Sequence, residues 1–216
     1  MMRTVTLLFA ALLACAVVFA QANPPAGDST AHPAQPAASL PQDRHEGLTV
    51  AADSYVDVAR AKNKFGKANP MSIGILPVEV TLRNETSQPI HINLETIQLT
   101  VHFESGRHQD LDWIPVGEVA DAVAHPHGPS DPHPRRFPIG LPSTSDHKAD
   151  KLVEILKPLA LDADIVPPLA TIHGFLFFDL NGNMSLAENA SLYMPDVTTL
   201  PANKPLMFFE VRLGKQ

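Results

Sequence analysis

An alternation of apolar and polar residues constrains the fold of this chain more than any other feature. In "ILPVEVTLRN", Val78, Val80 and Leu82 alternate with polar residues, and the runs "IHINL" and "TIQLTVHF" repeat this period of two. A period of two is typical of β-strands with one buried face. We expect the three runs to form one antiparallel unit whose inward side chains also include Ile90, Ile92, Leu94, Ile97, Leu99, Val101 and Phe103.

The rest of the chain extends this unit to a mainly β domain over residues 46–216. "GLTVAA" predicts an earlier strand, and the apolar run 172–180, "ASLYM" and "LMFFEVRL" predict later ones. Short helices are expected near 53–66, 117–123 and 145–158. The 21 prolines favour loops and strand edges over a helical bundle. We therefore predict a single antiparallel β-sandwich of seven or eight strands with two or three short helical insertions.

The N-terminus has the pattern of an export signal. Arg3 precedes an apolar run, Val5 to Phe19, and "AQA" at 20–22 offers small residues before a cleavage point. The sequence predicts a signal peptide over 1–22, followed by a disordered Pro/Ala-rich tether over 23–45. The localisation that follows is the periplasm or the extracellular medium.

Cys15 leaves a second N-terminal outcome open. "LLAC" at 12–15 resembles the motif at which bacterial lipoproteins are lipidated, which would make the protein membrane-anchored through Cys15. The residues after it are apolar, whereas lipoproteins usually become polar there. If Cys15 is removed with the signal peptide, the mature protein has no thiol, because this is the single cysteine of the chain.

The strand motifs also carry a family resemblance. "GILPVEVTLRNETSQPIHINLETIQL", "IHGFLFFDLNGN", "ASLYMPDV" and "LMFFEVRL" resemble a set of uncharacterised exported bacterial proteins and lipoproteins. The resemblance covers roughly 46–216 and implies an immunoglobulin-like β-sandwich. It implies no catalytic residues.

A proline- and histidine-rich segment, 125–142, is the main candidate for chemistry. In "HPHGPSDPHP", His125, His127 and His133 offer imidazoles suited to Zn, Cu or Ni, and Asp131 offers an oxygen ligand. The alternative is a proline-stiffened surface loop, because an extended backbone places His125 and His127 on opposite sides. Elsewhere, His91 and His102 are predicted to face solvent, where they could be cross-strand neighbours.

The sequence contains no recognised catalytic motif, and its formal net charge is −7 without a basic tract. We therefore expect neither an enzyme nor a nucleic-acid-binding protein. The expected function is an exported binding or interaction module for an unknown envelope or extracellular protein, with 112–147 as its contact surface and no cofactor. The alternative is a periplasmic metal-binding protein that uses the Pro/His loop. Contact with a membrane is expected only through a lipid anchor.

Overall fold

The alternating run at 75–84 forms the longest strand in the described part of the chain. A computed structural model describes residues 40–126 and 147–214, and within these ranges the chain has twelve strands and three α-helices. The strands are β1 Gln42–His45, β2 Leu48–Ser54, β3 Ile75–Asn84, β4 Ile90–Ile92, β5 Gln98–His102, β6 His108–Asp112, β7 Ile165–Val166, β8 Thr171–Asp179, β9 Ala190–Met194, β10 Val197–Thr199, β11 Lys204–Pro205 and β12 Phe209–Arg212.

The helices are short and lie between the strands in sequence. The α-helices are α1 Val58–Phe65, α2 Val116–Ala124 and α3 His147–Leu156. The 3₁₀ segments are Gly66–Ala68, Pro70–Ile73, Leu94–Thr96, Lys157–Leu159 and Met184–Asn189. No helix in the described part of the chain is long and apolar enough to cross a membrane.

Three antiparallel sheets of four strands each make up the β structure. The central sheet has the order β1-β2-β3-β8, the second sheet β11-β10-β4-β7, and the third sheet β12-β9-β5-β6. The predicted mainly β fold with a few short helices is confirmed. The prediction of seven or eight strands was too low, because strands of two or three residues such as β7 and β11 are too short to show a period.

The prediction that the three alternating runs pair with one another was wrong. β3 pairs with β2 and β8, β4 with β10 and β7, and β5 with β9 and β6, so the runs lie in three different sheets. Asn84 directs the chain away from the central sheet. Its amide nitrogen donates to the carbonyls of Gln88, Val166 and Pro167 at 2.8–3.1 Å, and its oxygen accepts from the amide of Thr86.

The inner core lies between the three sheets. The predicted inward residues of β3, β4 and β5 are buried in it, except Leu94, which is partly buried, and Phe103, which is 37% exposed because β5 ends at His102. The largest side chains of the inner core are Leu48, Leu76, Leu82, Ile90, Ile92, Ile97, Leu99, Phe178 and Phe209.

A second, outer core covers the other face of the central sheet. Phe175 and Phe177 of β8 point away from the inner core and pack against Phe65 of α1, with ring centroids 4.9 and 6.2 Å from it. From Gly174 to Phe178, β8 is therefore buried on both faces, and this explains why that part of its sequence is an uninterrupted apolar run.

The first strand corrects the predicted boundary of the tether. β1, at 42–45, lies inside the range 23–45 that was predicted to be disordered, and it pairs with β2. Contacts with the third sheet hold β1 in place: the His45 ring stacks on the Phe209 ring of β12, with the two ring centroids 3.8 Å apart. The carboxylates of Asp43 and Glu46 accept hydrogen bonds from the backbone amides of Glu210 and Met207, at 3.1 and 2.7 Å respectively. These hydrogen bonds satisfy backbone amides at the edge of the third sheet. Unpaired amides at a sheet edge can otherwise pair with a strand of another chain.

Candidate functional site

The three α-helices and their 3₁₀ segments form a helical layer on the outer face of the central sheet. We use this name for α1, α2, α3, Gly66–Ala68, Pro70–Ile73 and Lys157–Leu159. Each α-helix buries one apolar stripe in the outer core and leaves its other side to solvent. The buried stripes are Ala61 and Phe65 of α1, Val119, Ala120 and Ala124 of α2, and Leu152 and Leu156 of α3.

The helical layer differs in charge from the rest of the described protein. It contains seven Lys or Arg and four Asp or Glu, for a formal net charge of +3. The remaining described residues contain five Lys or Arg and sixteen Asp or Glu, for a formal net charge of −11. The strongest contribution comes from Val58–Ala68, which has four basic residues and no acidic one. This segment was the basic signal that the sequence analysis missed.

Three lysines of the helical layer surround one cavity. The cavity has a volume of about 520 Å³ and lies between α2, α3 and the two 3₁₀ segments that follow α1. Its lining comprises Lys67, Lys148, Lys151, Ser72, Val123, Leu152 and Ile155. The Lys148 ammonium donates to the carbonyl of Ala124 at 2.5 Å, so this side chain is held at the rim. We call this cavity the lysine pocket.

The lysine pocket combines positive charge with an apolar floor. Ile155 is 41% exposed at the pocket, while the neighbouring Leu152 is buried. Lysine ammonium groups bind carboxylates or phosphates as point charges without a fixed geometry. The pocket can therefore hold an anionic group that carries an apolar neighbour.

Two basic residues of α1, Arg60 and Lys64, are engaged with residues of the central sheet. Arg60 donates to both carboxylate oxygens of Asp53, and its guanidinium lies 3.7 Å from the centre of the Tyr55 ring. The hydrogen bonds to Asp53 raise the pKa of Arg60. The Lys64 ammonium lies 3.9 Å from a carboxylate oxygen of Glu79. These contacts fasten α1 to β2 and β3.

Glu79 also forms a small polar cluster at the edge of the outer core. The Tyr55 hydroxyl donates to a Glu79 carboxylate oxygen at 2.8 Å, and Nδ1 of His173 lies 4.0 Å from the other oxygen. Burial raises the pKa of Tyr55 most, and the hydrogen bond and negative charge of Glu79 raise it further. Tyr55 therefore stays protonated and acts as a hydrogen-bond donor, which indicates a structural role for this cluster.

The predicted metal ligands are only partly described. His125 caps the C-terminal end of α2, exposed, with its Nδ1 3.2 Å from Oδ1 of Asp121. His127, Asp131, His133 and Cys15 lie outside the described residues. Within 40–126 and 147–214, no group of three or more His, Cys, Asp or Glu residues is arranged to hold a metal ion. The Pro/His loop site and the lipidation site remain predictions.

The expectation that His91 and His102 are cross-strand neighbours was wrong. His91 belongs to β4 of the second sheet, where it lies opposite Thr198 and Ile165. His102 belongs to β5 of the third sheet, where it lies opposite His108 of β6. The chain changes sheets between the two histidines, and a period of two does not reveal that change.

Comparisons with known proteins add little. No protein-family model matches the chain, and no curated protein matches it. A search of solved structures finds the crystal structure of a functionally unknown protein from Listeria monocytogenes EGD-e. It is 12% identical, the match covers 71% of this chain and 68% of that chain, and the TM-score is 0.32. A match this weak supports no conclusion about fold or function.

Proposed function

We propose that this protein is an exported, non-enzymatic binding module with an immunoglobulin-like sandwich, and that it binds an acidic segment of a partner protein at the lysine pocket. The observation that carries the proposal is the separation of charge between a helical layer of +3 and a remainder of −11. The partner expected from the sequence is an envelope or extracellular protein. The expected contact surface, 112–147, overlaps the helical layer at α2 and at the start of α3.

Electrostatic attraction favours an acidic partner and determines where on the protein it binds. An acidic segment is attracted to the helical layer and repelled by the negative surface elsewhere, so encounters are directed to the lysine pocket. Lys67 and Lys151 supply charge at the rim, and Ile155 offers an apolar contact below them. The preferred segment thus combines several carboxylates with one aliphatic side chain.

Peptide binding tests the proposal. The probe is a short fluorescein-labelled peptide of Glu and Asp around a central Leu, and fluorescence polarisation measures its Kd. We expect the Lys67→Gln/Lys151→Gln double variant to bind about tenfold more weakly, a loss of about 1.4 kcal/mol. The control is Lys62→Gln/Lys157→Gln, which removes the same charge from the helical layer at positions that do not line the lysine pocket.

Three outcomes would contradict the proposal. Equal weakening in both double variants would indicate general charge attraction without a pocket. An unchanged Kd in Lys67→Gln/Lys151→Gln would remove the lysine pocket from the binding surface. Tighter binding of a labelled single-stranded oligonucleotide than of the peptide would point to a nucleic-acid partner.

The export proposal has its own test. Mass spectrometry of the protein purified from its native cells determines the mature N-terminus. A chain that begins at Asn23 supports release by signal peptidase, and a diacylated Cys15 supports a lipid anchor. A chain that retains Met1 would contradict export by either route.

A further inference from the structure

The hairpin of β5 and β6 places two histidines directly opposite each other. The amide of Phe103 donates to the carbonyl of Arg107 at 2.9 Å, and the amide of Gly106 donates to the carbonyl of Phe103 at 2.9 Å. Gly106 has a φ of +77°, which suits the left-handed residue that closes such a turn. The pair that follows this turn is His102 and His108.

The position of this pair in the ladder brings its side chains close together. Opposite residues in an antiparallel ladder alternate between hydrogen-bonded and non-hydrogen-bonded pairs. Phe103 and Arg107 are hydrogen-bonded, so the next pair, His102 and His108, is non-hydrogen-bonded. Pairs of this kind have Cα atoms about 4.5 Å apart, the closer of the two spacings. The two histidine side chains therefore project from the same face of the hairpin, from the closely spaced kind of backbone pair.

Both histidines are on the solvent face of the third sheet. Leu99 and Val101 point into the inner core, so His102 points outward, and both His102 and His108 are exposed. A carboxylate accompanies them: Oδ2 of Asp110 lies 4.0 Å from Nε2 of His108. The other oxygen of Asp110 accepts from the Thr100 hydroxyl at 2.7 Å, which fixes the orientation of the carboxylate.

We propose that His102 and His108 form a chelating pair for a divalent transition-metal ion, with water completing the coordination. Neutral imidazole is a good ligand for Ni²⁺, Cu²⁺ and Zn²⁺, and Cu²⁺ binds tightest of these in the usual order. The charge of Asp110 favours a cation beside His108. The pair lies on a different sheet from the helical layer, so this inference is independent of the proposed acidic partner.

Two other histidines on strands provide matched controls, one partly exposed and one exposed. His91 of β4 lies opposite Thr198 and Ile165, and His173 of β8 lies opposite Thr81. Each is on a strand, but neither has a histidine as its cross-strand partner. Within these ladders, each can offer a metal ion only one imidazole. Their alanine variants therefore measure the contribution of a single histidine.

Calorimetric titration of Cu²⁺, Ni²⁺ and Zn²⁺ into the purified, tag-free protein tests the chelating pair. We expect a saturable site for one ion, tightest for Cu²⁺, that becomes about tenfold weaker or more in His102→Ala and in His108→Ala. His91→Ala and His173→Ala should bind as the wild type does. Electron paramagnetic resonance of the Cu²⁺ complex should show two coordinated imidazole nitrogens in the wild type and one in His108→Ala.

The predicted Pro/His loop requires a further comparison. The triple variant His125→Ala/His127→Ala/His133→Ala should keep the site and its two-nitrogen spectrum. If the triple variant loses the site and the two hairpin variants keep it, the chelating pair is excluded. An unsaturable titration, or a two-nitrogen spectrum that survives in His108→Ala, also overturns the proposal. Circular dichroism of each variant confirms that any loss is not unfolding.

Discussion

The two faces of the central sheet are built differently. On the inner face, Leu76, Val78, Val80 and Leu82 of β3 are buried along the whole strand by the other two sheets. On the outer face, burial changes midway along the same strand. Its first part lies under the helical layer, and beyond Glu79 it is polar and open to solvent.

The two faces place different demands on the sequence. The inner face needs only alternation, and any apolar residue of suitable size satisfies it. The outer face needs a boundary between apolar and charged residues, because the helical layer must be held in place while its lysines stay in water. At that boundary, the Tyr55 hydroxyl donates a hydrogen bond to Glu79, and the Arg60 guanidinium lies over the Tyr55 ring.

The largest expected effect comes from the inner core. Phe178→Ala should lower the free energy of unfolding by about 3–5 kcal/mol, because it leaves a cavity where a fully buried ring was. Chemical denaturation followed by Trp113 fluorescence and by circular dichroism measures the loss. The two probes should report the same midpoint. A cost below about 0.5 kcal/mol, the size of a surface substitution, would mean that the inner core does not hold the sheets together.

A somewhat smaller and more local effect is expected from the outer core. Phe65→Ala removes the α1 ring that contacts Phe175 and Phe177, and should cost about 3 kcal/mol. Hydrogen exchange should accelerate most at the amides of α1 and less at those of β9. Phe177→Ala is the matched control, since its ring faces the same core from the sheet. Uniform acceleration in both variants would show that the two cores unfold as one unit.

The buried amide of Asn84 tests how the inner face is closed at its end. Asn84→Ala leaves the carbonyls of Gln88, Val166 and Pro167 without this donor, and should cost about 2 kcal/mol. Thermal unfolding at fixed pH provides the measurement. Asn93→Ala is the comparison, because the Asn93 side chain accepts one hydrogen bond, from the amide of Glu95, and its loss should cost less than half as much. Equal costs would show that Asn84 acts only as a local turn residue.

The smallest effect concerns the boundary on the outer face. Glu79→Gln removes a negative charge beside Tyr55 and should lower the pKa of Tyr55, which is raised in the folded protein. Phenolate absorbance during an alkaline titration measures it, in a Tyr193→Phe background that leaves Tyr55 as the remaining tyrosine. An unchanged pKa would assign the elevation to burial alone.

The same raised pKa predicts a dependence of stability on pH. The folded state holds the Tyr55 proton more tightly than the unfolded state does, so this contribution is fully present below the ordinary tyrosine pKa of about 10. It is lost as the pH rises through the folded value. Glu79→Gln should lower the folded-state pKa of Tyr55, so this contribution to stability should be lost at a lower pH. Chemical denaturation at several alkaline pH values measures the change.

The sequence predicted which residues face the cores better than it predicted their partners. Val78, Val80 and Leu82 are buried as expected because a period of two reports which face of a strand is dry. Strand pairing depends instead on where the chain leaves a sheet. That step rests on hydrogen bonds from Asn84 to carbonyls 82 and 83 residues further along, which no local pattern reveals.

The candidate sites were predictable to different degrees. The basic residues of 58–68 were visible in the sequence, but their relation to Lys148 and Lys151 required the packing of α3 against α2 and the segments after α1. The histidine pair was visible in part, since "VHFESGRHQ" places His102 and His108 on either side of turn residues. The incorrect pairing of His102 with His91 arose because β4 and β5 were assigned to one sheet, whereas they belong to two different sheets.

The pairing of β3 with β8 also has a consequence for the order in which the protein folds. Arg83 lies opposite Thr171, so the ladder joins segments separated by about half of the domain. A chain that emerges N-terminus first therefore presents β3 and the apolar stripe of α1 long before β8 is available to cover them. Until β8 arrives, the outer core lacks Phe175 and Phe177 and the inner core lacks Leu176 and Phe178, so neither core can close.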